Sequence, residues 1–271
     1  MARSRRAILG RLLIAGTFAA VVASGLTPLA RPGIAQASQT IGRTAESSLL
    51  SMINSARSSK GLAPLRLDTR LRDLAEYRAG VMSSKNTMSH TVAGVLSSQL
   101  TARGIQWYTE GECIAWDSYS YPTDAIKVIF QMWHDATHWP LLMSSKFNYT
   151  GIGIVHNSNG KTWASMVFTE SVDHSAPWTR MTGGSRSGSS VSWTWTGADT
   201  WLQTHTAGFK NFDVQYRVGN GTWSTIRSAT TQRSLTLYSR PSGHYYGLRV
   251  RGRDNRGYVS GWSAELRVWV P

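Results

Sequence analysis

The chain has 271 residues, 41% of them hydrophobic, and 29 Lys and Arg against 15 Asp and Glu, a formal net charge of +14. Its length accommodates two ordinary domains, and its single cysteine, Cys113, excludes an internal disulfide, so buried apolar surface must hold the fold. A Gly-x-Ser-x-Gly elbow is absent, and Ser89 and His90 are chain neighbours that do not present their side chains to each other, which removes a serine-hydrolase reading.

The chain opens MARSRR, followed by a mainly apolar run over 7–30, then Pro32 and an Ala35-Gln36-Ala37 ending. That order predicts a signal peptide over residues 1–37 and a secreted, extracellular mature protein with no integral membrane segment. Ser4-Arg5-Arg6 also fits a twin-arginine leader. An uncleaved anchor over 7–30 is the competing reading, and Arg11 interrupts it. Removing the leader's five arginines leaves 24 basic and 15 acidic side chains, a net charge of +9. Residues 38–178 hold 12 basic and 11 acidic residues, whereas 179–271 hold 12 and 4, so the positive charge belongs to the C-terminal part. A secreted protein is not expected to have nucleic acid as a partner.

After the leader, residues 46–59 place Leu49, Leu50, Ile53 and Ala56 on one helical face, with Gly61 as a stop. Pro64 begins a short extended link through Leu65 and Leu67. Asp68 is positioned to cap a second helix with the apolar stripe Leu71, Leu74, Ala75, Val81 and Met82. A shorter amphipathic stretch carries Val95, Leu96 and Leu100, closed by Gly104. A strand is expected over 112–116, then a helix opened by Pro122 with Ala125, Ile126, Ile129 and Met132 inward. Residues 150–156 and 161–170 are rich in β-branched and aromatic types, and Asn157-Ser158-Asn159-Gly160 between them reads as a hairpin turn. The fold class expected is α+β, with helices covering an antiparallel sheet over 38–178.

This first part resembles the CAP family of cysteine-rich secretory, antigen 5 and pathogenesis-related class 1 proteins. The residues that carry the resemblance are Leu50-x-x-Ile53-Asn54-x-x-Arg57, Gly61-Leu62-x-Pro64-Leu65, Met88-Ser89-His90, Gly111-Glu112-Cys113-Ile114-Ala115 and Gly151-Ile152-Gly153-Ile154. The resemblance implies an α-β-α sandwich with a cleft of two histidines and two acids. His90 and His138 look like the histidines, and Glu112 like one acid. The family's other acid sits three residues after the helical tryptophan, where this chain has Ala136; Asp135 is one residue short, a step that turns a helical side chain by about 100°.

Two neutral imidazoles suit a weakly bound zinc or other divalent cation, and a carboxylate beside them can orient an imidazole or accept a proton from metal-bound water. His90 and His138 are therefore candidate metal ligands, Glu112 a candidate general base, and His90, Glu112, His138 and Asp135 a candidate cleft for a metal or hydrophobic ligand. A metal-assisted hydrolase acting on envelope or host polymers is the alternative function. A third reading makes Glu112 and the histidines a hydrogen-bonded cluster that fixes the loops. Cys113 points away from Glu112 along a strand and reads as a small packed hydrophobe. His156 and His174 read as surface or turn residues. Trp107, Trp116, Trp133 and Trp139 read as core or as the walls of a groove for lipid or glycan.

Residues 179–190 are rich in glycine and serine and read as a linker. Beyond it, 191–195, 212–218, 223–227, 234–238, 245–253 and 265–270 read as short strands at sandwich spacing, with Gly219-Asn220-Gly221 as a hairpin turn. The run from Tyr246 to Gly257, followed by Gly261-Trp262-Ser263, resembles the last strands of a fibronectin type III module, implying an all-β C-terminal domain over 191–271 without chemistry of its own. Arg249, Arg251 and Arg253 alternate along one strand and share a face. They are a candidate patch for anionic cell-envelope polymer or lipid, unless they only keep a tryptophan-rich domain soluble.

Overall fold

The computed structural model describes residues 32–119 and 121–271, with side chains described from residue 42 onward. The apolar run and the arginine pair of the expected leader lie outside the described residues. Helix α1 (Pro32–Ser59) begins well before residue 46. It buries Ala45, Leu49 and Ile53, four residues apart on one face. Arg57 continues that stripe at 0% exposure, its guanidinium donating to the carbonyls of Ala63, Leu142 and Ser144. Burial pulls its pKa down to about 10, so it remains charged at neutral pH.

Strand β1 (Arg66–Leu67) leads into α2 (Thr69–Lys85), whose N-cap Asp68 accepts from the Arg70 backbone N–H at 2.8 Å. Then follow α3 (Leu96–Ala102), β2 (Thr109–Asp117), α4 (Pro122–Met132), the short α5 (Trp139–Leu142), β3 (Tyr149–His156) and β4 (Thr162–Glu170). The sheet runs β1-β3-β4-β2, parallel between β1 and β3 and antiparallel elsewhere. Leu71, Leu74 and Ala75 of α2 and Leu96 and Leu100 of α3 pack on one sheet face with Tyr149 and Val167. Leu49 and Ile53 of α1 and Ile126 and Ile129 of α4 pack on the other with Cys113, Ile152, Met166 and Phe168. The result is an α-β-α sandwich. Two inward positions differ from the sequence pattern. Val95 is 60% and Met132 46% exposed, because each sits at a helix terminus where the 3.6-residue period no longer applies, and Trp133 is buried in place of Met132.

The tract 179–190 is not a linker. Strand β5 (Trp178–Ser187) pairs antiparallel with β6 (Ser190–Ala198) through a turn at Gly188, which has φ of 59°. Its glycines serve close approach rather than slack: a Cβ on Gly184 would lie 2.1 Å from Leu266. Strands β7 (Phe209–Val218), β8 (Ser224–Thr230), β9 (Ser234–Leu237), β10 (His244–Asp254) and β11 (Leu266–Val270) complete two sheets, β5-β6-β9 and β11-β10-β7-β8. Val191, Trp193, Trp195, Phe212, Val214, Leu248 and Val250 fill the space between them. The Tyr246 hydroxyl donates to the Pro241 carbonyl at 2.6 Å and pins the turn before β10.

The segment between β6 and β7 docks on the first domain. Leu202 is 1% exposed and joins the cluster of Leu71, Leu74 and Tyr149. Gln203 Oε1 accepts from the Ala63 N–H at 2.7 Å, Asn148 Nδ2 donates to the Thr204 carbonyl, and Asp173 accepts from the Ala207 N–H at 2.9 Å.

The tightest packing lies between α2 and β3, where a Cβ on Gly153 would stand 2.2 Å from the Glu76 backbone nitrogen and one on Gly151 2.0 Å from the Leu71 carbonyl carbon. Helix and sheet must separate to admit a methyl at either place. Gly153→Ala is expected to destabilise the protein by about 3 kcal/mol or more, read as a lowered denaturant midpoint; an unchanged midpoint would show that the helix does not lie against the strand backbone.

Candidate functional site

Strand β2 presents Glu112 and Ile114 toward α2 and turns Cys113 and Ala115 toward α1 and α4. Cys113 is 0% exposed, and burial, with Glu112 and Asp135 adding to it, pushes its thiol far above the usual range, so it packs as a small inert hydrophobe. Glu112 is held by four contacts from three residues. Arg78 of α2 donates Nε to Oε1 at 2.6 Å and Nη2 to Oε2 at 2.8 Å, Ser165 of β4 donates to Oε1 at 2.7 Å, and His90 Nδ1 lies 2.9 Å from Oε2. Arg78 is 1% exposed and also donates to Gln99 Oε1 and to the carbonyls of Gly94 and His90. The loop carrying His90 is thereby tied to α2, α3 and β2 at once.

Burial would raise the pKa of Glu112, but the hydrogen bonds from His90, Arg78 and Ser165 outweigh it and hold the carboxyl below its ordinary value. A depressed carboxylate with its lone pairs engaged is a weak base, which is unfavourable to the general-base role expected of Glu112. Glu110, two residues earlier, shifts upward through partial burial and the charge of Glu112.

His138 belongs to a second pair. Helix α4 ends at Met132, and Asp135 lies in the following turn, so the 100° helical step does not govern its direction. Asp135 accepts from the backbone N–H groups of Thr137 and His138 at 2.9 and 2.7 Å and sits 2.8 Å from His138 Nδ1. These contacts, the His138 backbone bond foremost, lower the pKa of Asp135. The Trp133 ring stacks on His138, with centroids 6.4 Å apart. His138 and Asp135 line a cleft of about 380 Å³ with Met88, Met132, Trp133 and the β2 stretch Ile114, Ala115, Trp116, Asp117 and Ser118. His90 and Glu112 are not among the lining residues. The four site residues read from the sequence thus form two His–carboxylate pairs, His90–Glu112 and His138–Asp135. Among the described residues, no three His, Cys, Asp or Glu side chains are grouped to hold a metal ion.

Sequence reasoning missed Arg78. It stands on the buried stripe of α2, four residues after Leu74 and four before Met82, where a charge signals a buried partner. It also missed His174, which stacks on the Tyr149 ring at 3.8 Å and lies 2.9 Å from Asp68. His156 is held locally by the Thr162 hydroxyl.

Over residues 50–169 the sequence matches CAP, the cysteine-rich secretory protein family. That stretch is a CAP domain. It covers the last ten residues of α1 through β4, while the start of α1 and the β5–β11 sandwich lie outside the match. Similar solved structures include an extracellular protein containing an SCP domain from Bacillus anthracis, at 20% identity over 49% of this chain and 43% of that one, with a TM-score of 0.44. An outer surface protein from Borrelia burgdorferi has 16% identity over 47% of this chain and 93% of that one, with a TM-score of 0.43. A Fn3-like protein from Clostridium thermocellum has 24% identity over 36% of this chain and 96% of that one, with a TM-score of 0.26. The chain spans less than half the length of the Bacillus protein. No curated protein matches the sequence.

Arg249, Arg251 and Arg253 share the outer face of β10, since the residues alternating with them, Leu248, Val250 and Gly252, are buried. All three are engaged within the domain, Arg253 through a bond from its guanidinium to the Gly257 carbonyl at 3.2 Å. Arg249 donates to Gln215 Oε1 and lies between the rings of Trp223 and Trp262, at 4.2 and 4.8 Å from their centroids. Arg251 pairs with Asp213 at 3.0 Å and also covers Trp262. Arg217 adds a pair with Glu265 beside Trp223. The arginines of this face therefore form an arginine–tryptophan ladder, in which Arg217 and Arg251 meet acids while Arg249 and Arg253 are held by neutral groups.

Glu112→Gln leaves the Arg78 guanidinium buried without its counter-charge and is expected to cost about 3–5 kcal/mol of stability. Because the folded pKa of Glu112 is lowered, the stability it confers is present above the unfolded value of about 4.3 and is lost as pH falls through the folded value. Urea titrations across acidic pH should show that part of the acid loss in wild type and not in Glu112→Gln. Parallel pH profiles for the two proteins would mean that the carboxyl is not depressed.

Proposed function

We propose that this chain is a secreted binding protein whose CAP-domain cleft takes a small hydrophobic ligand beside His138. The observation that carries this reading is the cleft's composition: Trp116, Trp133, Met88, Met132, Ile114 and Ala115 supply apolar wall, and one imidazole–carboxylate pair supplies the polar end. Apolar walls with few convergent polar groups are how small-molecule sites combine affinity with orientation. His138 Nδ1 is occupied by Asp135, leaving Nε2 as the ring nitrogen available to a ligand. Secretion rests on the leader pattern and agrees with the extracellular and outer-surface descriptions of the Bacillus and Borrelia proteins. Among the described residues, no helix is long and apolar enough to cross a membrane.

The β5–β11 sandwich, read as fibronectin type III-like, would hold the CAP domain at an anionic surface. Arg253, bonded only to the Gly257 carbonyl, and the exposed Arg256 of the following turn are cations without an acidic partner that could serve it. A divalent-metal version of the CAP-domain site would need Nε2 of both His90 and His138, since each Nδ1 faces its own carboxylate. A hydrolase version would need its proton acceptor at the His138–Asp135 pair rather than at Glu112.

Calorimetric titration with dodecanoate is expected to give saturable binding, weakened about tenfold or more by Met132→Asp, which places a charge in the apolar wall. Equal binding by wild type and Met132→Asp would reject the cleft as the hydrophobic site. Zinc titration of wild type against the His90→Ala/His138→Ala double variant tests the metal version, and identical heats would end it.

A further inference from the structure

A second cavity, of about 590 Å³, lies where the CAP domain meets the sandwich. Arg66 lines it from β1 and Arg70 from the start of α2, Tyr149 from the start of β3 and His174 from the segment after β4, and Tyr258 from the sandwich, so neither domain builds it alone. Its volume falls within the range of small-molecule sites, and junctions between domains are where such sites concentrate.

The charges around it are unequal in access. Asp68, the acid in its lining, is spent: its side chain is 4% exposed, Arg70 holds it at 2.8 Å, and His174 Nε2 lies 2.9 Å away, off the line of a hydrogen bond. Arg70 is 46% exposed and keeps part of its fork free. No side-chain hydrogen bond or ion pair engages the Arg66 guanidinium among the described residues, and the Tyr258 and Thr69 hydroxyls likewise have no partner there. The Tyr258 ring is 41% exposed. One free guanidinium fork on Arg66, the unengaged end of Arg70 beyond its pair with Asp68, free hydroxyls and an accessible aromatic face therefore surround one space.

We propose that this junction cavity binds an anionic sugar: a hydroxylated ring bearing one carboxylate or phosphate, as in a unit of an acidic envelope polymer. Guanidinium forks match the planar oxygens of either anion, the hydroxyls match those of the ring, and the Tyr258 face receives its C–H side. The site is separate from the His138 cleft and does not depend on what that cleft binds.

The test is ligand-observed NMR on the full chain with glucuronate and with glucose 6-phosphate, using glucose as the neutral control. Binding of either anionic sugar, absent for glucose and weakened by salt, supports the site, and the two arms separate carboxylate from phosphate. Arg66→Gln and Tyr258→Ala alter exposed side chains that make no hydrogen bond or ion pair among the described residues; each should weaken binding about fivefold or more with an unchanged melting temperature, while His138→Ala leaves it intact. The proposal is overturned if neither anionic sugar binds better than glucose, or if binding survives both Arg66→Gln and Tyr258→Ala.

Discussion

The buried ion pair between Arg78 and Glu112 is the constraint around which the CAP domain is arranged. Both groups are withdrawn from water, and such a pair is tolerable only when every remaining donor and acceptor is also met. Here they are met by Ser165, Gln99, His90 and two backbone carbonyls drawn from β4, α3 and the loop between α2 and α3. The pair thus sets the distance of α2 from β2 and fixes where the His90 loop crosses. The glycines of β3 act in the same direction. Gly151 and Gly153 let the helix backbone sit directly on the strand, and that depth brings Arg78 within reach of Glu112.

This arrangement assigns opposite tasks to two histidines that look equivalent in the sequence. His90 is exposed over half of its side chain, yet its Nδ1 is tied to a carboxylate already neutralised by Arg78, so it closes a polar network. His138 faces an apolar cleft with an acid of its own and no other cation among its contacts. A ligand group that seeks an imidazole meets fewer competing partners at His138.

The fold was legible wherever local pattern and packing agree. The helix stripes, the β3–β4 hairpin at Asn157–Gly160 and the strands β6 to β11 follow from periodicity and turn residues, and all of these but β8 bury residues of their apolar pattern. What local pattern could not show was contact between distant segments. Residues 179–190 read as slack because glycine lacks a side chain, whereas in the sandwich that lack admits Leu266 and lets β5 pair. Of the site, the pairing of His90 with Glu112 was readable from the motif residues, but not the third partner that changes its meaning. Arg78 is one charge on an apolar stripe, and only the tertiary structure shows which acid it meets.

The docking of Leu202 changes how the two halves relate. A Gly/Ser tether would let the sandwich move independently, and its charge would act only as an average over orientations. Instead, a leucine from the sandwich side fills the core beneath α2, and Asn148, Asp173 and Gln203 bind backbone groups across the boundary. Separating the domains would expose that leucine and leave the Asn148 and Asp173 side chains without partners they now have, a loss of several contacts at once rather than one. With the junction closed in this way, Arg66 and Arg70 stand at a fixed distance from Tyr258. Fixed spacing is what distinguishes a shaped site from a surface that is merely basic, since recognition of one anion among many depends on groups held in place before the ligand arrives.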